Sequence, residues 1–297
     1  MGLVTSAVEH VIEPVSAPVT ARRHRRIDIG GAVICTAAVL LVLAVVLAPV
    51  IAPYSPTEAV GLARSAPSAA HLFGIDHLGR DVLSRVLWGG RETLLMAALS
   101  TALAAVVGVP IGLFAGYVGG MRGGVSMRVM DVLLAFPGLL LALVIITIGG
   151  AGVGSTVLAV GVSFVPVFAR VVYGSTQRVR AEEYIAASIV VGASPLRVMT
   201  RNVLPVVLTE VVVMVSSAFG WTMLLTAALN FLGFGVSPPT PEWGADLGAG
   251  TEYLDQAWWI SAAPGFAITV TILVANFLGD YIAKALSAPR AELVAGR

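Results

Sequence analysis

Few residues in this chain could do chemistry, and their spacing argues against most of it. His71 and His77 stand six positions apart, so they do not share a helix face as the i, i+4 pair of a zinc helix does; they read as parts of a hydrogen-bonded turn. Cys35 is the single cysteine, which excludes an intrachain disulfide and leaves it a packing role. Gly150-Ala151-Gly152-Val153-Gly154 follows an apolar run rather than a strand and lacks the rest of a dinucleotide fingerprint, so it reads as a tight turn. Lys284 is the one lysine, and no G-x-x-x-x-G-K-[ST] motif occurs, so the chain cannot cradle nucleotide phosphates in a P-loop of its own. Glu210 lies about a turn and a half into the apolar run 206–230, and Asp280 at the end of the run 258–281. Each lies near a segment end where water can reach it, whereas a proton relay places its acids deeper. With no Ser/His/Asp set or metal cluster at depth, the chain reads as a non-enzyme that binds no cofactor or metal itself.

The elements around those residues are those of a membrane protein. The chain has 297 residues, of which 57% are hydrophobic and only 12% charged, against about 25% charged in soluble domains. A net charge of +1 gives no electrostatic footprint for nucleic acid. Apolar runs measured against the roughly 20 residues that cross a bilayer give an all-α, polytopic fold of six transmembrane helices, at about 29–51, 93–117, 129–149, 155–173, 206–230 and 258–281. An even number returns both termini to one side. Arg22, Arg23, Arg25 and Arg26 precede the first helix, so the positive-inside rule puts both termini in the cytoplasm. Fourteen of the 18 basic residues then fall on cytoplasmic segments. The outer loop 231–257 holds none, but carries Glu242, Asp246, Glu252 and Asp255, which could meet a docking protein or be solvated. Arg64, Arg80, Arg85 and Arg91 break the trend, yet they neighbour Asp76, Asp81 and Glu92 and so suggest a folded outer element.

The expected order is a cytoplasmic tail 1–27, a first transmembrane helix within 28–52, an extracytoplasmic loop 53–92 with an interfacial helix on Val82, Leu83, Val86 and Leu87, a five-helix core over 93–281, and a cytoplasmic tail 282–297. The first apolar run is longer than a secretory signal's core and starts too late, so it should remain as a true span. Gly108, Gly112 and Gly116 recur every four residues and let a second helix approach closely, as a moving interface or as static packing. Gly119, Gly120, Gly123 and Gly124 read as a flexible turn, and Arg128 with Asp131 as a local i, i+3 pair.

Between the fourth and fifth helices lies a polar-flanked insert, 174–204. A short helix runs through Glu183, Tyr184, Ala187 and Ser188, and Gly192 should stop it in the left-handed conformation. After Ala193, Ser194 reads as an N-cap and Pro195 as the first residue of a second short helix, where its missing N–H costs nothing. Leu196, Met199 and Val203 share one face of that helix, and Arg197 and Arg201 another. Such a structured helix–Gly–helix insert between membrane spans suggests a docking surface rather than a connector.

The insert resembles the cytoplasmic coupling loop of ATP-binding-cassette importer permeases, reading Ala187-Ser188, then Gly192, then Leu204-Pro205. Ala186 stands where that family usually has an acid, and Ile189 where it often has arginine. Independently, Gly74, Asp76, Gly79, Arg80, Asp81, Ser84 and Arg85 resemble the GTD-xx-GRD-xx-SR signature of the C-type permease of dipeptide/oligopeptide/nickel importers, with Ile75 in place of threonine. Asn230 to Gly244, and Gly279-Asp280-Tyr281, are similar to the same family, although Thr226 stands where it often has a glutamate. The resemblance spans about residues 30–290 and implies a type I ABC importer permease-like fold in the plasma (inner) membrane of a prokaryote. It also implies a heterodimer with a homologous permease, two cytoplasmic ABC ATPases that carry ATP and Mg, and an extracytoplasmic substrate-binding protein. Glu183, Tyr184, Ala187, Ser188, Gly192, Ala193, Ser194, Pro195, Leu204 and Pro205 would then form the ATPase-coupling loop. Peptides are the first cargo implied, and nickel or another small solute the second. A secondary transporter or channel working without ATPases is the rival from another class, separated by whether ATPases co-purify. An exporter-type permease is disfavoured by the insert itself.

Overall fold

The computed structural model describes residues 29–295; the 1–27 tail with its arginine cluster, and Arg297, lie outside the described residues. The helices are α1 (Ile29–Val46), α2 (Ala48–Ile51), α3 (Val82–Val118), α4 (Gly120–Leu134), α5 (Gly138–Gly149), α6 (Val153–Arg180), α7 (Glu183–Val190), α8 (Pro195–Val198), α9 (Leu204–Phe231), α10 (Trp243–Gly250), α11 (Leu254–Ala257) and α12 (Trp259–Ala295). Among the described residues the fold is helical, with a single isolated bridge between Ile75 and Asp81.

Among the described residues four helices are long and apolar enough to cross a membrane: Val82–Val118, Val153–Arg180, Pro195–Phe231 and Trp259–Leu286. The expected third span, 129–149, is instead two helices, α4 and α5, meeting at a 91° bend. Pro137 lies in the gap and has no N–H to donate, and its ring disfavours helical backbone at Phe136, so the ladder stops and α5 restarts at Gly138. Counted as one, that pair makes five spans. The first segment is shorter, an 18-residue α1 that breaks at Leu47 before Pro49 enters the first turn of α2.

The loop boundary at 92 also moves. The expected interfacial helix and second span are one 37-residue helix, α3, starting at Val82. Gly89 and Gly90 do not break it; a Cβ at Gly90 would come 2.6 Å from the Trp243 ring, so these glycines seat the start of α10 against the helix. Gly108, Gly112 and Gly116 pack α3 directly on α6, where added Cβ atoms would overlap Phe168, Val165, Ala169 and Thr176. This is close backbone packing of the kind small residues permit. Gly119 and Gly120 do adopt positive φ, 64° and 54°. Gly123 and Gly124 belong to helix α4, not to the turn expected there. Asp131 likewise departs from expectation: it pairs with Arg170 of α6, while Arg128 is exposed. Between α1, α3, α9 and α12 runs a crevice of about 1040 Å³, with apolar walls such as Leu41, Val45, Phe219 and Leu278 and with Trp88 and Arg91 also lining it.

Candidate functional site

Two constellations stand out, one at each of two loop clusters. The first is the insert between α6 and α9. Helix α7 ends at Val190, and Gly192 takes φ +90°. The Gly192 N–H donates to the Ile189 carbonyl at 2.9 Å, and the Ala193 N–H to the Ser188 carbonyl at 3.1 Å. This paired closure is a Schellman motif, which satisfies carbonyls that a helix end otherwise leaves bare. Ser194 has the extended backbone of an N-cap and Pro195 occupies the first turn, but the Ser194 hydroxyl makes no capping bond. The second helix is not a separate short piece. It passes through a π-turn at Met199–Val203 straight into α9, with the Leu204 N–H reaching back to the Met199 carbonyl. Pro205 explains the turn: it cannot donate to the ladder, and a wider local winding accommodates its ring.

Packing then decides which side of the insert faces out. Ile185, Val198 and Val203 are fully buried and join Val172 and Val179 of α6 and Val207 and Val211 of α9 in one cluster. Each such side chain contributes about 1.5–3 kcal/mol of burial, so the insert is fixed to the helix ends. Asn202 Nδ2 donates to Ser188 Oγ at 3.3 Å and ties its two arms together. Leu196, expected beside Met199 and Val203 on one face, is instead 66% exposed. Tyr184, Ile189, Val190 and Val191 are exposed as well, the last two at 87% and 88%. The loop thus buries its own anchors and leaves Tyr184, Ile189, Val190, Val191 and Leu196 uncovered.

The second constellation gathers the 74–85 residues. Asp76 accepts from the backbone N–H of Leu78 and Arg80 at 2.8 and 2.9 Å, and from Arg80 Nε at 2.6 Å. Gly74 and Gly79 turn the chain at φ +74° and +83°. Asp81 caps α3, accepting from the Ser84 N–H at 2.8 Å and the Ser84 hydroxyl at 2.7 Å, and meets His71 Nδ1 at 2.9 Å. His77 stacks on Tyr253 at 5.3 Å, so the two histidines serve different contacts. Arg85, only 5% exposed, donates to Asp246 Oδ1 at 2.5 Å, to the Pro56 carbonyl at 2.8 Å and to the Pro239 carbonyl at 3.3 Å. The arginine-rich loop is thus a folded element that clasps the loop before α10 and α10 itself.

The acids of the 231–257 loop divide accordingly. Glu252 and Asp255 are exposed. Asp246 is held by Arg85, and Glu242 is fully buried at the N-terminus of α10, so neither is free for solvent or for a docking protein. Glu242 Oε2 accepts from the Ala245 N–H at 2.8 Å, and Oε1 lies 2.7 Å from Thr93 Oγ1. Burial pushes the Glu242 carboxyl up to about 7, against the opposing pull of those hydrogen bonds. Thr93 Oγ1 also lies 3.0 Å from the Gly89 carbonyl, and a hydroxyl has one proton to give. A protonated Glu242 donates to Thr93, freeing Thr93 to donate to Gly89. Because the carboxyl is raised in the fold, the folded state holds a proton that the unfolded state loses. The contribution of this carboxyl to stability is therefore greatest below pH ~4.5 and is lost as pH rises through 7, on the order of 3 kcal/mol. Glu242→Gln is expected to flatten that slope, read as thermal unfolding of detergent-solubilised protein between pH 5 and 8. An unchanged slope in the variant would refute the assignment.

Local spacing points to none of the long-range partners: Arg85 with Asp246, Glu242 with Thr93, Arg170 with Asp131, or Arg178 with Glu210. Arg178 Nη2 lies 2.9 Å from Glu210 Oε2, so Glu210 is paired at its segment end rather than simply hydrated. Asp280 is exposed, as its place near a segment end suggests.

Comparison with known proteins fits this geometry. A family model described as "binding-protein-dependent transport system inner membrane component" matches residues 108–289. The chain is 37% identical over 270 residues to the di/tripeptide transport system permease protein of Pseudomonas aeruginosa (strain UCBPP-PA14), covering 89% of this chain and 88% of that one. It is 39% identical over 220 residues to the glutathione transport system permease protein of Pectobacterium atrosepticum, covering 74% and 73%. Inward-facing structures of the MetNI methionine ABC transporter match 69% of this chain with TM-scores of 0.57 and 0.58, at 19% and 20% identity, which is a likeness of fold.

Proposed function

Since the chain belongs to the family of binding-protein-dependent transport system inner membrane components and is a multi-pass ABC importer permease, we propose that it passes di- and oligopeptides through a heterodimer with a homologous permease. Two ABC ATPases, carrying ATP and Mg, dock on the 174–204 insert from the cytoplasm, and a substrate-binding protein delivers cargo at the opposite face. The observation that carries the coupling role is the insert's combination of buried anchors and uncovered Tyr184, Ile189, Val190, Val191 and Leu196. Peptide cargo is supported by the two relatives, both named for peptides, glutathione being a tripeptide. Uptake of di- and oligopeptides is expected to fall to background when the gene is deleted in a strain without a redundant importer. Normal peptide uptake in that strain would sink the reading, and loss of nickel uptake instead would favour nickel as the cargo. ATPase subunits should co-purify in mild detergent; a secondary transporter would come alone.

We infer further that 53–81 and 232–257 face outward and that both termini and the insert are cytoplasmic. The clasp supports a shared side for the two loops, because Arg85 meets Asp246 and Arg64 Nη1 donates to Gln256 at 2.8 Å. Ala66 and Ala249 are both exposed. Cysteines placed there in a Cys35→Ser background should react with a membrane-impermeant thiol reagent in intact cells. Labelling only after lysis would reverse the topology.

A further inference from the structure

The last turns of α6 bear three arginines, and each engages a different helix. Arg170 pairs with Asp131 of α4, Arg178 with Glu210 of α9, and the Arg180 guanidinium lies 5.6 Å from the centre of the Tyr117 ring of α3. Helix α7 follows α6 after two residues, so these groups stand at the stem of the insert. The Arg178–Glu210 contact differs from the other two. Its partner lies on the element into which the other arm of the insert runs, through the π-turn at Met199–Val203. The pair therefore closes a ring: α6, α7, the Gly192 turn, α8, the π-turn and α9, with the side chains bridging 32 positions of sequence. Inside the ring Ile185, Val198 and Val203 are fully buried.

Glu210 Oε2 receives two donors at once, Ser175 Oγ at 2.6 Å and Arg178 Nη2 at 2.9 Å. Ser175 is 1% exposed, which fixes one side of the carboxylate while Arg178 holds the other. An exposed ion pair contributes little to stability, but a bridge between the two stems acts on geometry. Without it, a push on α7 can be absorbed by the π-turn, the locally unwound part of the ring. With it, α6 and α9 gain a directional tie beyond the apolar contact they share through Val172, Val179, Val207 and Val211.

We infer that the Arg178–Glu210 pair is the transmission clamp of this permease, a positioning contact that makes displacement of the insert move α6 and α9 as one body. This rests on the coupling reading proposed above. The test uses the complete transporter, reconstituted with its permease partner, ATPases and binding protein, and reads peptide transported per ATP hydrolysed together with ATPase co-purification. Glu210→Gln keeps the shape and an acceptor for Ser175 but removes the charge. It is expected to co-purify with ATPases as wild type does, while transport per ATP falls at least fivefold. Arg178→Gln should do the same, Arg178→Lys should stay within threefold of wild type, and the exchange Arg178→Glu with Glu210→Arg should recover at least half of the loss. A transport-to-ATP ratio within twofold of wild type in Glu210→Gln overturns the clamp. So does loss of the ATPases from that variant, which marks a merely structural role, or an Arg178→Lys variant as defective as Arg178→Gln. Gly192→Val in the same assay separates the two claims: if it too leaves docking and transport intact, the coupling reading itself fails.

Discussion

Gly192→Val is expected to abolish transport and to weaken ATPase docking while leaving membrane insertion intact. Gly192 sits at φ +90°, where a β-branched residue is disfavoured by about 1–2 kcal/mol. Beyond its own chain neighbours nothing lies within 4 Å of a Cβ built there, so the penalty comes from backbone conformation rather than from a clash. The chain escapes it by abandoning the left-handed turn. That sacrifices the Schellman bonds from Gly192 to Ile189 and from Ala193 to Ser188, and either extends α7 or swings α8 out of line. Tyr184, Ile189, Val190 and Val191 then lose their common orientation. Gly192→Asn is the graded control, since asparagine tolerates the left-handed region, and it should retain more than half of wild-type transport. Reconstituted transport and ATPase co-purification at wild-type levels in Gly192→Val would show that the loop is an ordinary connector.

Arg85→Ala should be the most damaging change at the opposite loop cluster. The guanidinium joins Asp246 of α10, the Pro56 carbonyl and the Pro239 carbonyl, and Asp76 lies 3.8 Å away. Burial already pushes the Asp246 carboxyl above the usual range, with Arg85 holding it down. Removing the arginine leaves that acid without its counter-charge, and breaking a buried pair on one side costs about 3–5 kcal/mol. Arg85→Lys keeps the charge but cannot reach both carbonyls and the carboxylate at once, so it should be intermediate. Pairing Arg85→Met with Asp246→Asn should recover part of the loss, since neither charge is then orphaned. Thermal unfolding in detergent and yield from membranes are the readouts. An Arg85→Ala protein with unchanged melting temperature would show that the clasp adds nothing to stability.

What these two residues have in common is that one was legible and the other only half so. Gly192 before Ser194-Pro195 announces its turn from adjacent residues, because left-handed backbone and a missing proline N–H are local steric facts. The same holds for the long apolar helices and for the close approach at Gly108, Gly112 and Gly116. Arg85 declares by its neighbours that it belongs to a folded element, yet nothing nearby names Asp246, 161 positions away.

By itself, then, the sequence determined an all-helical membrane protein, its asymmetric charge, the insert's stop-and-restart and the absence of a P-loop. These follow from periodicity, hydropathy and backbone sterics, which act over a few residues. Tertiary structure decided the rest. It joined the interfacial helix to the second span, because Gly89 and Gly90 are pressed against Glu242 and Trp243 and do not end the helix. It bent 129–149 by 91°, a choice for which Pro137 gives permission but not direction. It ran the insert's second helix into α9 through a π-turn, and it turned Leu196 outward while burying Val198. It took Glu242 out of water and gave Asp131 to Arg170 rather than to Arg128. Each of these depends on which distant surface arrives opposite a side chain, and burial and charge pairing are settled only when the helices meet.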